Sequence, residues 1–138
     1  MDTWQKRPGE EPGLNWVLGS IREGRSVRHV TMDVNYWKTA VMNRLHTSMG
    51  DKGSLSLFGT KPEQHRMLKD HLLAETATET SGQGRTLTEW TERPGMDNHW
   101  FDCLVGCAVA ANMQGIDLTG TRQQEQRKGF TMPARIGR

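Results

Sequence analysis

The stretch DNHWFDCLVGCAVAAN, residues 97–112, places one carboxylate at the start of an apolar helix. Residues 103–116 contain no charged side chain. This pattern predicts a helix over about residues 98–114 that is apolar almost all round and covered by the rest of the domain. An unpaired ionised carboxylate in such a place costs on the order of several kcal/mol. We therefore expect Asp102 to be buried and to be paired, protonated or bound to a cation.

Two interpretations of Asp102 follow from its position. In the simpler one, Asp97 or Asn98 caps the helix and Asp102 lies in the first turn, where the helix dipole favours an acid. The carboxylate can also pair with one of the 18 basic residues of the chain. In the other interpretation, Gly106, one turn later, leaves room beside the carboxylate for a ligand.

The rest of the chain alternates between strand and helix patterns. Strands are predicted at 27–34, 54–59 and 86–93, and helices at 35–49, from Thr60 onward and at 98–114. The polar stretch TATETSGQGR, residues 76–85, lies before the last strand and carries no predicted element. This order implies an α/β fold in which the strand at 86–93 can form an antiparallel edge.

Two of the helices carry more specific expectations. Asn35 is the predicted N-cap of the first helix. In the second helix four apolar residues form the predicted buried stripe: Met67, Leu68, Leu72 and Leu73.

The composition limits the size of the core. Hydrophobic residues make up 34% of the 138 residues, and 15 residues are glycine. That is lean for a small chain, which must bury apolar surface to offset its ordering entropy. We expect a modest core over residues 27–118, a poorly ordered lead-in over 1–26 and a disordered tail over 119–138.

The charge is unevenly distributed. The formal net charge is +2, but residues 119–138 hold five Lys or Arg and one Glu, which leaves −2 for the first 118 residues. A basic tail indicates contact with an acidic partner or nucleic acid, or simply a solvated segment. The first 13 residues lack the apolar core of a signal peptide, and the uncharged run at 103–116 is too short to span a bilayer. A reducing cytoplasm is therefore the expected location.

Three segments together resemble a known family. They are DVNYWKTAVMNRL (33–45), KPEQHRMLKDHLLAE (61–75) and RPGMDNHWFDCLVGCAVAA (93–111). Over residues 27–118 they are similar to the carboxyl-terminal part of the large terminase subunit of tailed phages, the GpA type. The resemblance implies part of a nuclease domain of RNase H-like fold, with a short mixed sheet and packed helices. In that family the nuclease is joined to a packaging ATPase and cuts concatemeric double-stranded DNA in the host cytoplasm.

The same resemblance implies a metal site. Two divalent cations, Mg²⁺ or Mn²⁺, are held by acidic residues, and the acid on the last helix of the fold corresponds to Asp102. Such hard cations select carboxylate oxygens, and paired cations promote phosphodiester hydrolysis. His99 can orient the Asp102 carboxylate or a phosphate, or can be a partly buried hydrogen-bonding histidine.

Further residues are candidates on the same basis. Lys38, in the motif YWK, can approach a DNA phosphate or can be a solvated surface lysine. Glu75 ends the second matching segment as a structural or site-bordering acid, and Asn98 is a secondary candidate. Asp33 can reach toward the sheet edge, although an acid that simply starts the first helix explains it better.

The resemblance also implies what the chain lacks. Two further metal-binding acids of the family precede the matched segment, so we expect an incomplete site and no independent cleavage. The alternative is a non-enzymatic interaction module that binds a portal protein, a terminase partner (the small subunit or the ATPase region) or DNA. The basic tail would supply its contacts through Arg122, Arg127 and Lys128.

Overall fold

A computed structural model describes residues 15–19, 27–82 and 85–116. Its elements are β1 (Trp16–Leu18), β2 (Val30–Met32), α1 (Val34–His46), a 3-10 turn (Pro62–His65), α2 (Arg66–Leu72), β3 (Glu75–Gly82), β4 (Arg85–Glu92) and α3 (His99–Met113). The predicted α/β class is confirmed. Within these ranges the strands form two antiparallel two-stranded sheets, β1–β2 and β3–β4, rather than one mixed sheet.

The β3–β4 hairpin corrects the prediction for the polar stretch 76–85. This stretch supplies most of β3, which pairs with β4 in a register that runs from Glu75 opposite Glu92 to Gly82 opposite Arg85. Threonines recur along β3, and their β-branched side chains favour extended backbone without making the strand apolar. The strand predicted at 86–93 is confirmed as β4, and it is antiparallel.

Two other predictions about strands need correction. Residues 54–59 alternate but form no strand; Leu55 donates its amide to the carbonyl of Arg44 at 2.9 Å, and Phe58 is 82% exposed. The strand expected at 27–34 is confined to β2, and its partner β1 lies inside the stretch 1–26 that was expected to be poorly ordered. Residues 1–14 and 20–26 are outside the described residues, as is the tail at 119–138.

The helix α1 begins one residue earlier than predicted. Asp33 is its N-cap, and the carboxylate accepts a hydrogen bond from the amide of Tyr36 at 3.1 Å. The predicted cap, Asn35, instead accepts a hydrogen bond from the amide of Trp90 at 3.0 Å and so fastens β4 to α1. Asp33 therefore starts the helix, as the simpler interpretation held.

The apolar faces of α2 and α3 are less covered than predicted. In α2 the stripe is not buried, since Met67 is 58% and Leu73 49% exposed. The helix α3 matches its predicted bounds closely but is buried on one face only, because Cys103 and Cys107 on the opposite face are exposed. Within the residues that the structure describes, no helix is long and apolar enough to cross a membrane.

The described residues have their core where α1 packs against α3. It consists of Trp37, Val41, Phe101, Val105, Ala108 and Val109. Trp90 from β4 meets the Phe101 ring edge-on, with 5.4 Å between ring centroids. Because Trp37 and Phe101 are fully buried near the starts of their helices, the residues that follow them, Lys38 and Asp102, are brought to the same end of the core.

Candidate functional site

Three charged side chains meet at the end of the core where α1, β3 and α3 come together. The ammonium Nζ of Lys38 lies 2.9 Å from Oδ1 of Asp102, and it also donates a hydrogen bond to Oε1 of Glu75. The side chains of Lys38 and Glu75 are 7% and 2% exposed, whereas that of Asp102 is 50% exposed. One buried cation therefore links a deep acid to an acid at the surface.

Asn98 adds a second anchor for the deep acid. It is the N-cap of α3, and its Nδ2 donates a hydrogen bond to Oε1 of Glu75 at 2.8 Å. The same carboxylate oxygen thus accepts from both Asn98 and Lys38. This arrangement fixes the first residue of β3 against the start of α3.

The environment of Lys38 keeps its ammonium charged. Burial by itself lowers the pKa of a lysine, but the hydrogen bonds and negative charges of Glu75 and Asp102 outweigh burial, and the pKa of Lys38 is raised above its ordinary value of 10.5. The ring of Phe101 also lies beside the ammonium, with 5.3 Å from Nζ to the ring centroid. With two carboxylates and one ammonium, the group carries a net negative charge.

The prediction that Asp102 is buried is wrong. The residue lies in the first turn of α3, at the border of the helix face that packs on the core, so half of its side chain meets solvent. A side-chain carbon added at Gly106 would meet nothing within 4 Å, so the surface one turn further along α3 is open. The Asp102 carboxylate can therefore accept a ligand from solvent while one oxygen stays on Lys38.

The comparison with protein families decides where the chain belongs. Residues 18–125, more than three quarters of the chain, match the family described as "Terminase large subunit gpA, endonuclease domain". The chain belongs to this family. The resemblance seen in three segments of the sequence is thereby confirmed. No curated protein and no solved structure matches the chain.

His99 does not reach the ion cluster in this structure. Its side chain is 76% exposed, its Nε2 lies 3.8 Å from Oδ1 of Asp97, and its ring centroid is 6.4 Å from that of His71. The alternative of a partly buried histidine is therefore wrong, because His99 projects from the open face of α3. A role for His99 in orienting a carboxylate or a phosphate stays a prediction.

The other candidates divide between the cluster and the rest of the chain. The structure brings together Lys38, Glu75, Asn98 and Asp102, whereas Asp33 caps α1. Lys38 is not the solvated surface lysine of the simpler interpretation, and direct contact with DNA stays a prediction for it. Arg122, Arg127 and Lys128 lie outside the described residues.

Sequence reasoning missed the partnership itself. Lys38 and Glu75 are 37 positions apart and lie on different elements, so no local spacing connects them. The available signal was indirect, since each charged residue adjoins an apolar one that had to be buried: Lys38 follows Trp37, and Asp102 follows Phe101.

Proposed function

We propose that the chain takes part in metal-dependent cleavage of double-stranded DNA during phage genome packaging, with Asp102 as a ligand of Mg²⁺ or Mn²⁺. The observation that carries the proposal is the Asp102 carboxylate, which is half exposed and fixed on one side by Lys38 in a chain of a terminase endonuclease family. Packaging partners follow from the same family: the ATPase region, the small subunit and the portal protein, in the host cytoplasm.

The residues present fit part of the coordination of a hard cation. Asp102 offers carboxylate oxygen, the donor that Mg²⁺ and Mn²⁺ prefer, and its exposed side admits water and phosphate oxygens. Glu75 is 2% exposed and its Oε1 already accepts two hydrogen bonds, so it supports the site rather than opening onto it. Among the described residues no group of three or more His, Cys, Asp or Glu is placed to hold a metal. The proposal therefore requires acids from outside the described ranges, in the same polypeptide or in a partner.

Each residue of the cluster has a role in this proposal. A divalent cation bound there polarises the scissile phosphate and activates water for in-line attack. Asp102 binds the cation from the rigid start of α3. Lys38 holds Asp102 in place through its hydrogen bond, and Glu75 and Asn98 hold Lys38. His99, exposed on the same helix, is available to a DNA phosphate.

The proposal is tested by titrating Mn²⁺ into the chain by calorimetry. We expect saturable binding whose affinity falls at least about tenfold in Asp102→Asn, because one charged oxygen ligand is removed. Asp97→Asn is the matched control: it also lies at the start of α3, but its side chain is 79% exposed and pairs only loosely with His99. Its affinity for Mn²⁺ should equal that of the wild type.

The role in cleavage is tested in the same variants. Supercoiled plasmid is incubated with Mn²⁺ and the chain, alone and with the terminase ATPase region supplied. Any nicking should disappear in Asp102→Asn and persist in Asp97→Asn. Identical Mn²⁺ isotherms for the wild type and Asp102→Asn, or nicking that survives Asp102→Asn, would contradict the proposal.

A further inference from the structure

We propose that Lys38 is an internal counter-ion that competes with a divalent cation for Asp102 and so regulates the site. This inference rests on the proposed role of Asp102 as a metal ligand. It adds that the metal-free chain holds its own cation at that carboxylate, which must yield when the divalent cation binds.

The competition follows from the position of the ammonium. Nζ of Lys38 lies 2.9 Å from Oδ1 of Asp102. A divalent cation on the same carboxylate sits at about 2.0–2.1 Å from its oxygen, so the two positive charges would come within a few ångströms of each other. Repulsion at such separations is strong at a partly buried site. The cation must therefore displace the ammonium from Asp102 or bind more weakly beside it.

The two acids hold Lys38 unequally, which sets the bond that yields. Glu75 is 2% exposed and is itself fixed by Asn98 at 2.8 Å, whereas Asp102 is 50% exposed and can turn toward water. If Lys38 loses Asp102, its ammonium still has Glu75 and the Phe101 ring. The exchange therefore breaks one contact without leaving an unpaired charge in the interior, which would be strongly unfavourable.

The expected consequence is a site that binds cations weakly while Lys38 is in place. Extra negative charge at the open side of Asp102, such as a phosphate of bound DNA, favours the divalent cation over the single charge of the ammonium. Lys38 thus links occupation of the metal site to the presence of a polyanion.

The test removes the charge of Lys38 without leaving Glu75 unpaired. In the neutral-pair variant, Lys38→Met is combined with Glu75→Gln, whose amide oxygen can still accept the hydrogen bond from Asn98. Lys38→Arg is the control that keeps the charge. Mn²⁺ is titrated into the wild type and both variants by calorimetry, after circular dichroism has shown that each is folded.

We expect the neutral-pair variant to bind Mn²⁺ about tenfold more tightly than the wild type or better, and Lys38→Arg to bind like the wild type. Adding Asp102→Asn to the neutral pair should remove the gain. Equal or weaker binding by the neutral pair overturns the competition. That result, together with weaker binding by Asp102→Asn alone, leaves the metal role of Asp102 standing; identical binding by Asp102→Asn and the wild type is the separate failure of the proposed function.

A second measurement needs no variant that must fold. In the wild-type chain, the ¹⁵Nζ signal of Lys38 is followed by nuclear magnetic resonance while Mg²⁺ is added. We expect its chemical shift to change and its protons to exchange faster with water, with the same midpoint as Mg²⁺ binding. A signal that stays constant through saturation with Mg²⁺ overturns the proposal.

Discussion

At the scale of single residues, a neighbour's burial determines what each charged side chain can do. Lys38 follows the fully buried Trp37, and Asp102 follows the fully buried Phe101. The backbone is therefore fixed beside each charge before the charge finds a partner. Lys38 ends 7% exposed between two carboxylates, while Asp102 keeps half of its side chain in solvent. The same local pattern thus gives one anchored cation and one open acid.

The raised pKa of Lys38 predicts how stability depends on pH. A lysine with a raised pKa in the folded state stabilises the fold fully below its unfolded value, 10.5, and this contribution is lost as the pH rises through the folded value. The contribution of Lys38 should thus be constant at neutral pH and decline only above 10.5. Urea unfolding of the wild type and the neutral-pair variant across this range measures it.

The comparison is made on the difference between the two curves, because other groups titrate in both proteins. The wild type should lose free energy of unfolding relative to the neutral-pair variant only at the alkaline end. Parallel curves over the whole range would show that the ammonium is not coupled to its carboxylates. A relative loss that begins near neutral pH would mean that the pKa of Lys38 is lowered rather than raised.

At the scale of elements, the sequence predicted what local patterns determine. The charge-free run at 103–116 predicted α3 closely, and the alternation at 86–93 predicted β4. It failed where pairing decides: residues 54–59 alternate but have no partner strand among the described residues, and the threonine-rich β3 is extended because β4 lies beside it. The site was predictable only as single residues, since the contact of Lys38 with Glu75 joins positions 37 apart.

The attachment of β1 to α3 makes a prediction at this scale. Nε1 of Trp16 donates a hydrogen bond to Oδ1 of Asn112 at 2.8 Å, and Asn112 is 2% exposed. Asn112→Leu keeps most of the volume but leaves the indole N–H without its acceptor, which costs about 1–3 kcal/mol. Urea unfolding should show this loss, and amide exchange should accelerate at Leu18 and Val30, which pair across β1 and β2.

The matched control is an asparagine that is not part of the packing. Asn43 lies on the exposed side of α1, and Asn43→Leu should change the free energy of unfolding by less than about 0.5 kcal/mol. Equal effects of the two substitutions would mean that the hydrogen bond from Trp16 does not hold β1 in place.

At the scale of the whole molecule, one small cluster connects the fold to the site. Within the described residues, the core contains two large aromatic side chains that are fully buried, Trp37 and Phe101, while many apolar residues remain exposed. Phe101 touches both ends of the argument, because its ring packs against Trp90 and also lies 5.3 Å from the Lys38 ammonium. Stability and the geometry of the charged cluster should therefore change together when Phe101 is altered.

Adjacent aromatic residues on α3 allow this to be measured within one helix turn. Phe101 is fully buried and Trp100 is 47% exposed. Phe101→Ala should cost about 3–5 kcal/mol, a large share of the total stability of a small domain, because it leaves a cavity between α1, β4 and α3. Trp100→Ala removes a larger ring but only its stacking on His71 and a half-covered surface, so it should cost about 1 kcal/mol or less. Urea unfolding ranks the two variants, and Mn²⁺ titration should show altered binding only in Phe101→Ala, because only that ring supports Lys38. Equal losses of stability, or equal Mn²⁺ binding in a folded Phe101→Ala, would show that the core and the charged cluster are independent of each other.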